Sequence, residues 1–99
     1  MSIMALKVKV KGPLRVVIGT EINVDLKEIE GNSVRDLVEF LKERYLDAAK
    51  SEHLEEVLND FFSHNVVLVN GTEISAINGE NTKLRDNDEI FIINITHGG

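Results

Sequence analysis

The sequence ends in two glycines, Gly98 and Gly99, and its terminal carboxylate is the group in this chain best suited to chemistry. Glycine has no Cβ, so a Gly-Gly tail can lie extended in a channel that is too narrow for side chains. A carboxylate presented in this way can react in the active site of another protein. The alternative interpretation is a frayed terminus of small residues, which many domains have.

Conventional catalytic and metal-binding groups are sparse in the rest of the chain. His53, His64 and His97 show no His-x₃-His spacing, which disfavours a metal site. The chain has no cysteine, which excludes disulfides, thiolate zinc sites and a cysteine nucleophile. It also has no G-x-S-x-G element and no G-x-x-x-x-G-K-[ST] phosphate loop. The carboxylate of Gly99 is therefore the principal candidate for reaction.

Length and composition predict one globular domain, residues 1–95, followed by a flexible tail, residues 96–99. The chain has 99 residues, of which 42% are hydrophobic and 28% charged. Its net charge of −6 disfavours nucleic-acid binding and favours a basic partner surface. The apolar runs are too short to span a membrane and no signal-peptide pattern occurs, so we expect a cytoplasmic protein without membrane contact.

Alternation of apolar and polar residues predicts two strands near the N-terminus. The alternating pairs are Leu6, Val8 and Val10 with Lys7, Lys9 and Lys11, and Ile22, Val24 and Leu26 with Asn23, Asp25 and Lys27. We interpret the lysines as the solvated face of a strand, where they also discourage aggregation. Pro13 interrupts the pattern, so residues 14–18 are either a bulged continuation of the strand or a connector.

A helix is predicted to begin at Ser33, with Asp36 at the position of a capping-box acid. One apolar stripe follows at helical spacing, which we interpret as core rather than as a partner-binding groove: Val34, Leu37, Val38, Leu41 and Tyr45. A second helix is predicted over residues 52–62 with Ser51 as its N-cap. Residues 48–50 contain no strong helix breaker, so a single kinked helix is the alternative.

The C-terminal third predicts three further strands. Residues 66–69 form an apolar run that is typical of a central strand, and Asn70-Gly71 predicts a type I′ hairpin turn. Residues 72–74 form the expected short return strand, and residues 89–96 form the last strand, which leads into the tail. The order of elements predicts an α+β fold in which a mixed sheet of four or five strands packs on one main helix.

The residues that precede the tail carry a family resemblance. The block from Leu84 to Ile92, followed by His97, Gly98 and Gly99, resembles the β-grasp ubiquitin-like family. The most similar members are MoaD- and ThiS-type sulfur carriers, the ubiquitin-related modifier and the small archaeal ubiquitin-like modifiers. They share an L-x-D-x-D-x-[IV] turn before the last strand and a terminal Gly-Gly, and the ubiquitin-related modifier also has histidine before its glycines. Residues 67–71 resemble the family's central strand and hairpin.

The resemblance implies that the chain is a carrier or modifier rather than an enzyme. A ubiquitin-activating-type enzyme would use ATP to adenylate Gly99, with Gly98 and His97 threading its channel. A sulfur donor would then form a thiocarboxylate for molybdopterin synthesis or tRNA thiolation, or a target lysine would receive the chain in an isopeptide bond.

The resemblance also bears on partners and cofactors. The large subunit of molybdopterin synthase is a further candidate partner, and the free chain is expected to be a monomer that binds no cofactor or metal itself. The alternative function is an interaction module that is never activated.

Partner recognition requires a second surface, because a tail of a few residues provides little specificity. By analogy with the register of ubiquitin, Ile90 and Ile92 pack under the helix. Phe91 and Ile93 then lie on the open face of the sheet beside Leu68, as a predicted partner-binding patch. The alternative is that the second helix covers this face and makes it part of the core.

Overall fold

Five strands form one mixed sheet in the computed structural model, which describes residues 5–95. They are β1 (Ala5–Lys11), β2 (Glu21–Asp25), β3 (Asn65–Val69), β4 (Thr72–Glu73) and β5 (Glu89–Asn94). The strand order is β2-β1-β5-β3-β4; β1 and β5 are parallel, and the other neighbours are antiparallel. The predicted α+β roll with a mixed sheet is therefore confirmed.

The described residues contain one long helix and three short ones. They are α1 (Arg15–Ile18), α2 (Val34–Ser51), α3 (Glu55–Asn59) and α4 (Phe61–His64). Helix α1 is the connector after Pro13, so the alternative of a bulged strand is wrong. Strand β2 stops two residues earlier than expected and β4 one residue earlier, because 3-10 turns begin at Leu26 and Ile74. None of these helices combines the length and the hydropathy that a bilayer crossing requires.

The predicted capping box at the start of α2 is present. The Ser33 hydroxyl accepts from the Asp36 N–H at 3.2 Å, and the Asp36 carboxylate accepts from the Ser33 N–H at 3.0 Å and from its hydroxyl at 2.8 Å. The predicted apolar stripe of α2 faces the core, with all its members buried except Tyr45, which is half-buried against the core. The cap and the stripe thus fix the start of α2 and its orientation on the sheet.

The second helix differs from the prediction at both ends. Helix α2 continues through Ser51, whose hydroxyl donates to the Asp47 carbonyl, so Ser51 is not an N-cap. The helix ends at Ser51 with Glu52 as its C-cap, and at His53, where φ is 59°, the chain enters the left-handed region.

The hydrogen bonds after α2 form a Schellman motif. The Leu54 N–H donates to the Ala49 carbonyl at 2.7 Å, and the His53 N–H donates to the Lys50 carbonyl at 3.2 Å. The predicted single helix over residues 52–62 is therefore wrong: after this cap the chain forms α3 and then α4. Glycine at this position would have predicted the end of a helix, whereas histidine does not.

One cluster of buried apolar side chains joins the helices to one face of the sheet. Ile90 and Ile92 of β5 are 0% and 1% exposed within it, which confirms the expected orientation of this strand. Leu58 of α3 and Phe61 of α4 belong to the same cluster. The two short helices therefore lie on the α2 side of the sheet, and the alternative in which a second helix covers the opposite face is wrong.

The capping box gives a stability prediction with a pH dependence. The hydrogen bonds from Ser33 hold the pKa of Asp36 below its ordinary value of 3.8. A lowered pKa contributes stability that is complete above the ordinary value and is lost as pH falls through the folded-state value. Ser33→Ala is expected to cost about 0.5–2 kcal/mol at neutral pH. Asp36→Asn should lower the unfolding free energy at neutral pH. Its difference from the wild type should shrink as the solution is acidified below the ordinary pKa of Asp36.

Urea unfolding at a series of pH values measures both effects. Glu43→Gln is the matched control, because Glu43 is an exposed carboxylate on the same helix. If Asp36→Asn lowered the unfolding free energy by the same amount at every pH, the stabilisation could not be assigned to the ionised carboxylate.

Candidate functional site

Four apolar side chains share the face of the sheet that no helix of residues 5–95 covers, where β3 and β5 are neighbours. We call them the open-face patch: Val66, Leu68, Phe91 and Ile93. Leu68 lies opposite Phe91 and Val66 opposite Ile93, and all four are half-buried and outside the core cluster. The structure thus brings together the three patch residues that the sequence predicted. It adds Val66, which strand alternation from Leu68 could have identified.

The lysines of β1 belong to the same surface. Parallel pairing places Lys9 beside Phe91 and Lys11 beside Ile93. The ammonium groups of Lys9 and Lys11 lie 5.3 Å and 5.6 Å from the centroid of the Phe91 ring, within the range of cation–π contact. Lys9 also pairs with Glu89 at 3.6 Å. The patch therefore has an apolar centre and a basic border, a connection that the sequence analysis missed because the pairing of β1 with β5 is tertiary.

The acidic turn before β5 has a structural role. The Asp86 carboxylate accepts from the Ala5 N–H at 3.0 Å, and Asp88 accepts from the Asn70 side-chain amide at 2.8 Å. The Asn70 side-chain carbonyl in turn accepts from the Glu89 N–H at 2.9 Å. These bonds tie the start of β1, the β3–β4 hairpin and the start of β5 together. The carboxylates are thus used in positioning β5, and within residues 5–95 no three histidine or acidic residues form a potential metal site.

The point at which the chain leaves β5 is held by two contacts. The His64 carbonyl accepts from the Asn94 side-chain amide at 3.0 Å and from the Ile95 N–H at 2.8 Å. A Cβ at Gly12 would lie 2.6 Å from the Asn94 Cβ, so only glycine lets β1 end this close to β5. Of the histidines in the described residues, His64 therefore contributes its backbone rather than its imidazole to this end of the sheet.

The tail that was predicted to react follows these contacts in the sequence. Gly99, Gly98 and His97 fall outside the described residues, and the flexibility of residues 96–99 stays a prediction. Ile95, the last described residue, is 36% exposed. The described structure therefore provides the attachment point of the tail and the surface beside it.

Comparisons with known proteins agree with this architecture. The model of the family described as "ThiS family" matches residues 8–99. The chain belongs to the ThiS family. Together with its structural neighbours, this places the chain among the ubiquitin-like sulfur carriers and modifiers, which are small carrier or modifier proteins and not catalysts. A comparison with curated proteins finds no match.

Several solved structures are similar over almost the whole chain. Small archaeal modifier protein 1 from Methanosarcina acetivorans is 27% identical, with a TM-score of 0.68 and full coverage of both chains. Urm1 from Trypanosoma brucei is 24% identical, with a TM-score of 0.66 and full coverage of both chains, and supports the fold alone. A chain of the BexX/CysO complex from Amycolatopsis orientalis is 26% identical, with a TM-score of 0.62 and coverage of 96% of this chain and 100% of that one.

Exposure of the open-face patch predicts a contrast between two phenylalanines. Phe61 is 1% exposed, so Phe61→Ala should cost about 3–5 kcal/mol of unfolding free energy. Phe91 is half-buried on the face that no described helix covers, so Phe91→Ala should cost clearly less. Thermal or urea unfolding of both variants measures the difference. Equal losses would show that Phe91 is part of the core.

The exit of the tail predicts a second contrast, between two glycines with the same backbone angle. Gly12 and Gly19 both have φ of 102°, but a Cβ at Gly19 would meet nothing within 4 Å. Both alanine variants carry the backbone strain, which is expected to cost more than about 1 kcal/mol. Gly12→Ala should be the less stable of the two in urea unfolding, because it also collides with Asn94. Equal stability would mean that the β1 and β5 ends separate at no cost.

Proposed function

We propose that this protein presents the carboxylate of Gly99 for adenylation by an activating enzyme. The adenylate would then be converted to a thiocarboxylate, for molybdopterin synthesis or tRNA thiolation, or be transferred to lysines of target proteins. The observation that carries this proposal is the family match over residues 8–99, which includes both terminal glycines. It is supported by the position of β5, the central strand, directly before the tail.

Activation is required because a carboxylate is a poor electrophile. A carboxylate oxygen of Gly99 attacks the α-phosphate of ATP and releases pyrophosphate, which gives an acyl adenylate with AMP as its leaving group. A sulfur nucleophile or a lysine amine then attacks the acyl carbon and displaces AMP. The chain has no cysteine, so any thioester or persulfide intermediate resides on a partner. ATP is bound by the activating enzyme, and the carrier is its substrate.

The geometry supports an activating enzyme that contacts two features at once. The open-face patch includes Phe91 and Ile93 of β5, and the same strand ends at Asn94, with Ile95 between it and the four-residue tail. Four residues span at most about 14 Å when fully extended. An enzyme that binds the patch through an apolar surface with acidic groups near Lys9 and Lys11 would therefore have the carboxylate within a short, defined reach.

The partners follow from the same proposal. Among the similar structures, that of CysO is a complex with a partner protein, BexX. We propose an adenylating enzyme as the principal partner of this chain, with the large subunit of a molybdopterin synthase and the lysines of target proteins as candidate acceptors. A monomeric free state, a cytoplasmic location and the absence of nucleic-acid or membrane binding stay predictions.

A non-activated interaction module is the second candidate function. The observation that favours it is the open-face patch, which can bind a partner whether or not the tail reacts. The two functions differ in whether the free carboxylate at Gly99 is required.

The proposal predicts that the length of the tail is critical. Deletion of Gly99, or addition of one residue after it, should abolish ATP–pyrophosphate exchange by a cognate activating enzyme. One residue changes the reach by roughly 3.3–3.6 Å, whereas the attacking oxygen must lie about 3–3.5 Å from its target. Gly98→Val should act similarly, because its side chain would obstruct the channel. Unfolding free energies should be unchanged.

A residue added at the N-terminus is the matched control and should leave exchange intact. Mass spectrometry of protein from native cells should find an oxygen-to-sulfur exchange at the terminus, or a Gly-Gly remnant on target lysines after digestion. Full activity of a C-terminally extended variant in cells that cannot trim it would overturn the proposal in favour of the interaction module.

A further inference from the structure

Strand β2 is an edge of the sheet, and its outer side presents backbone groups. The Val10 N–H donates to the Thr20 carbonyl at 3.0 Å, which identifies this pair as hydrogen-bonded. In an antiparallel ladder such pairs recur at every second residue, so Ile22 and Val24 bond to β1. The N–H and C=O groups of Asn23 therefore point away from β1. The backbone groups of Glu21 and Asp25, two residues away on either side, point in the same direction. An added strand would pair with these groups.

A groove runs along this edge, between β2 and α2. Its lining includes Ile22 of β2 and Phe40, Arg44 and Tyr45 of α2. Ile22, Phe40 and Tyr45 are half-buried apolar side chains that pack against the core. The Arg44 guanidinium lies 5.6 Å from the centre of the Phe40 ring and 5.9 Å from that of Tyr45, while it also pairs with Glu28. The groove therefore offers apolar walls beside an open strand edge.

We propose that the β2 edge binds an extended segment of a partner protein in which apolar residues alternate with basic ones. Side chains of a strand point alternately to the two faces of the sheet. On the α2 side of the added strand, apolar side chains would enter the groove. On the other side, basic side chains would lie beside Glu21 and Asp25, which flank Asn23 on the face opposite the core.

Charge determines which occupant fits this edge. A second copy of the chain, paired antiparallel around Asn23, would place Glu21 of one copy opposite Asp25 of the other, and like charges directly opposite are destabilising. The depression next to the groove is lined mostly by carboxylates, at Glu28, Glu30, Asp36, Glu39 and Glu43. With a net charge of −6, the protein attracts a basic segment and repels its own copies.

The β2 edge is separate from the surface used in the proposed activation. In the sheet order, β1 lies between β2 and β5, so the edge is not part of the open-face patch. The tail follows β5 in the sequence, and β1 separates β5 from β2 in the sheet. A protein with a suitable segment would thus recognise this domain while its carboxylate is bound to an enzyme or joined to a target, and the inference does not depend on the proposed activation.

The experiment uses the full chain, labelled with ¹⁵N, and the peptide acetyl-Val-Lys-Val-Lys-Val-Lys-Val-amide as the probe. We expect saturable chemical-shift changes at β2 and at Phe40, Arg44 and Tyr45, and weaker binding of the same peptide with glutamate in place of lysine. Three results would overturn the inference: no saturable change, changes confined to the open-face patch, or tighter binding of the glutamate peptide. Dimerisation through β2 without peptide, measured by sedimentation, would also overturn it.

Two variants test the backbone and the charge separately. Asn23→Pro removes the N–H that the added strand requires, and it should weaken binding about tenfold. Glu21→Lys should weaken binding of the lysine peptide and strengthen binding of the glutamate peptide. This variant also tests the inference if Asn23→Pro loses its native spectrum. Glu55→Lys is the matched control, because it changes the net charge equally from an exposed site on α3. Equal effects of Glu21→Lys and Glu55→Lys would reduce the inference to general electrostatics and overturn it.

Discussion

The burial of one face of β5 beneath the helices is the interaction on which the rest of the structure depends. Ile90 and Ile92 lie in the core. Because side chains alternate along a strand, Phe91 and Ile93 then lie on the opposite face. Since β5 lies between β1 and β3, both its edges are paired. A single strand thus anchors the core, supplies the centre of the open-face patch and precedes the C-terminal tail in the sequence.

The hydrogen bonds around β5 hold it at both ends. The Asp-rich turn and Asn70 fix its start, and the carbonyl of His64 fixes its end. The requirement for glycine at position 12 comes from the same end, where β1 approaches Asn94. The proposed function requires no catalytic side chain, because the domain would only have to position a carboxylate near a recognition surface. The polar residues of the last third serve that positioning.

Charge is divided between surfaces of the domain. The chain is acidic overall, yet Lys9 and Lys11 border the open-face patch, and their ammonium groups lie over the Phe91 ring. Five carboxylates line the depression beside the groove between β2 and α2, and β2 itself carries Glu21 and Asp25. The two proposals thus assign partners of opposite charge to different parts of the sheet. This separation follows from sheet order, since β1 stands between the two surfaces.

The sequence by itself determined the fold class, the strand periodicities, the capping box at Ser33 and the Asn70-Gly71 turn, because each depends on residues close together in the chain. It also indicated the family, through the turn before β5 and the terminal glycines. Only the tertiary structure decided that the lysines of β1 lie over Phe91 and that Gly12 must admit Asn94, because these contacts join segments distant in sequence. The left-handed turn at His53 after α2 was decided there too, since no glycine marks this position in the sequence.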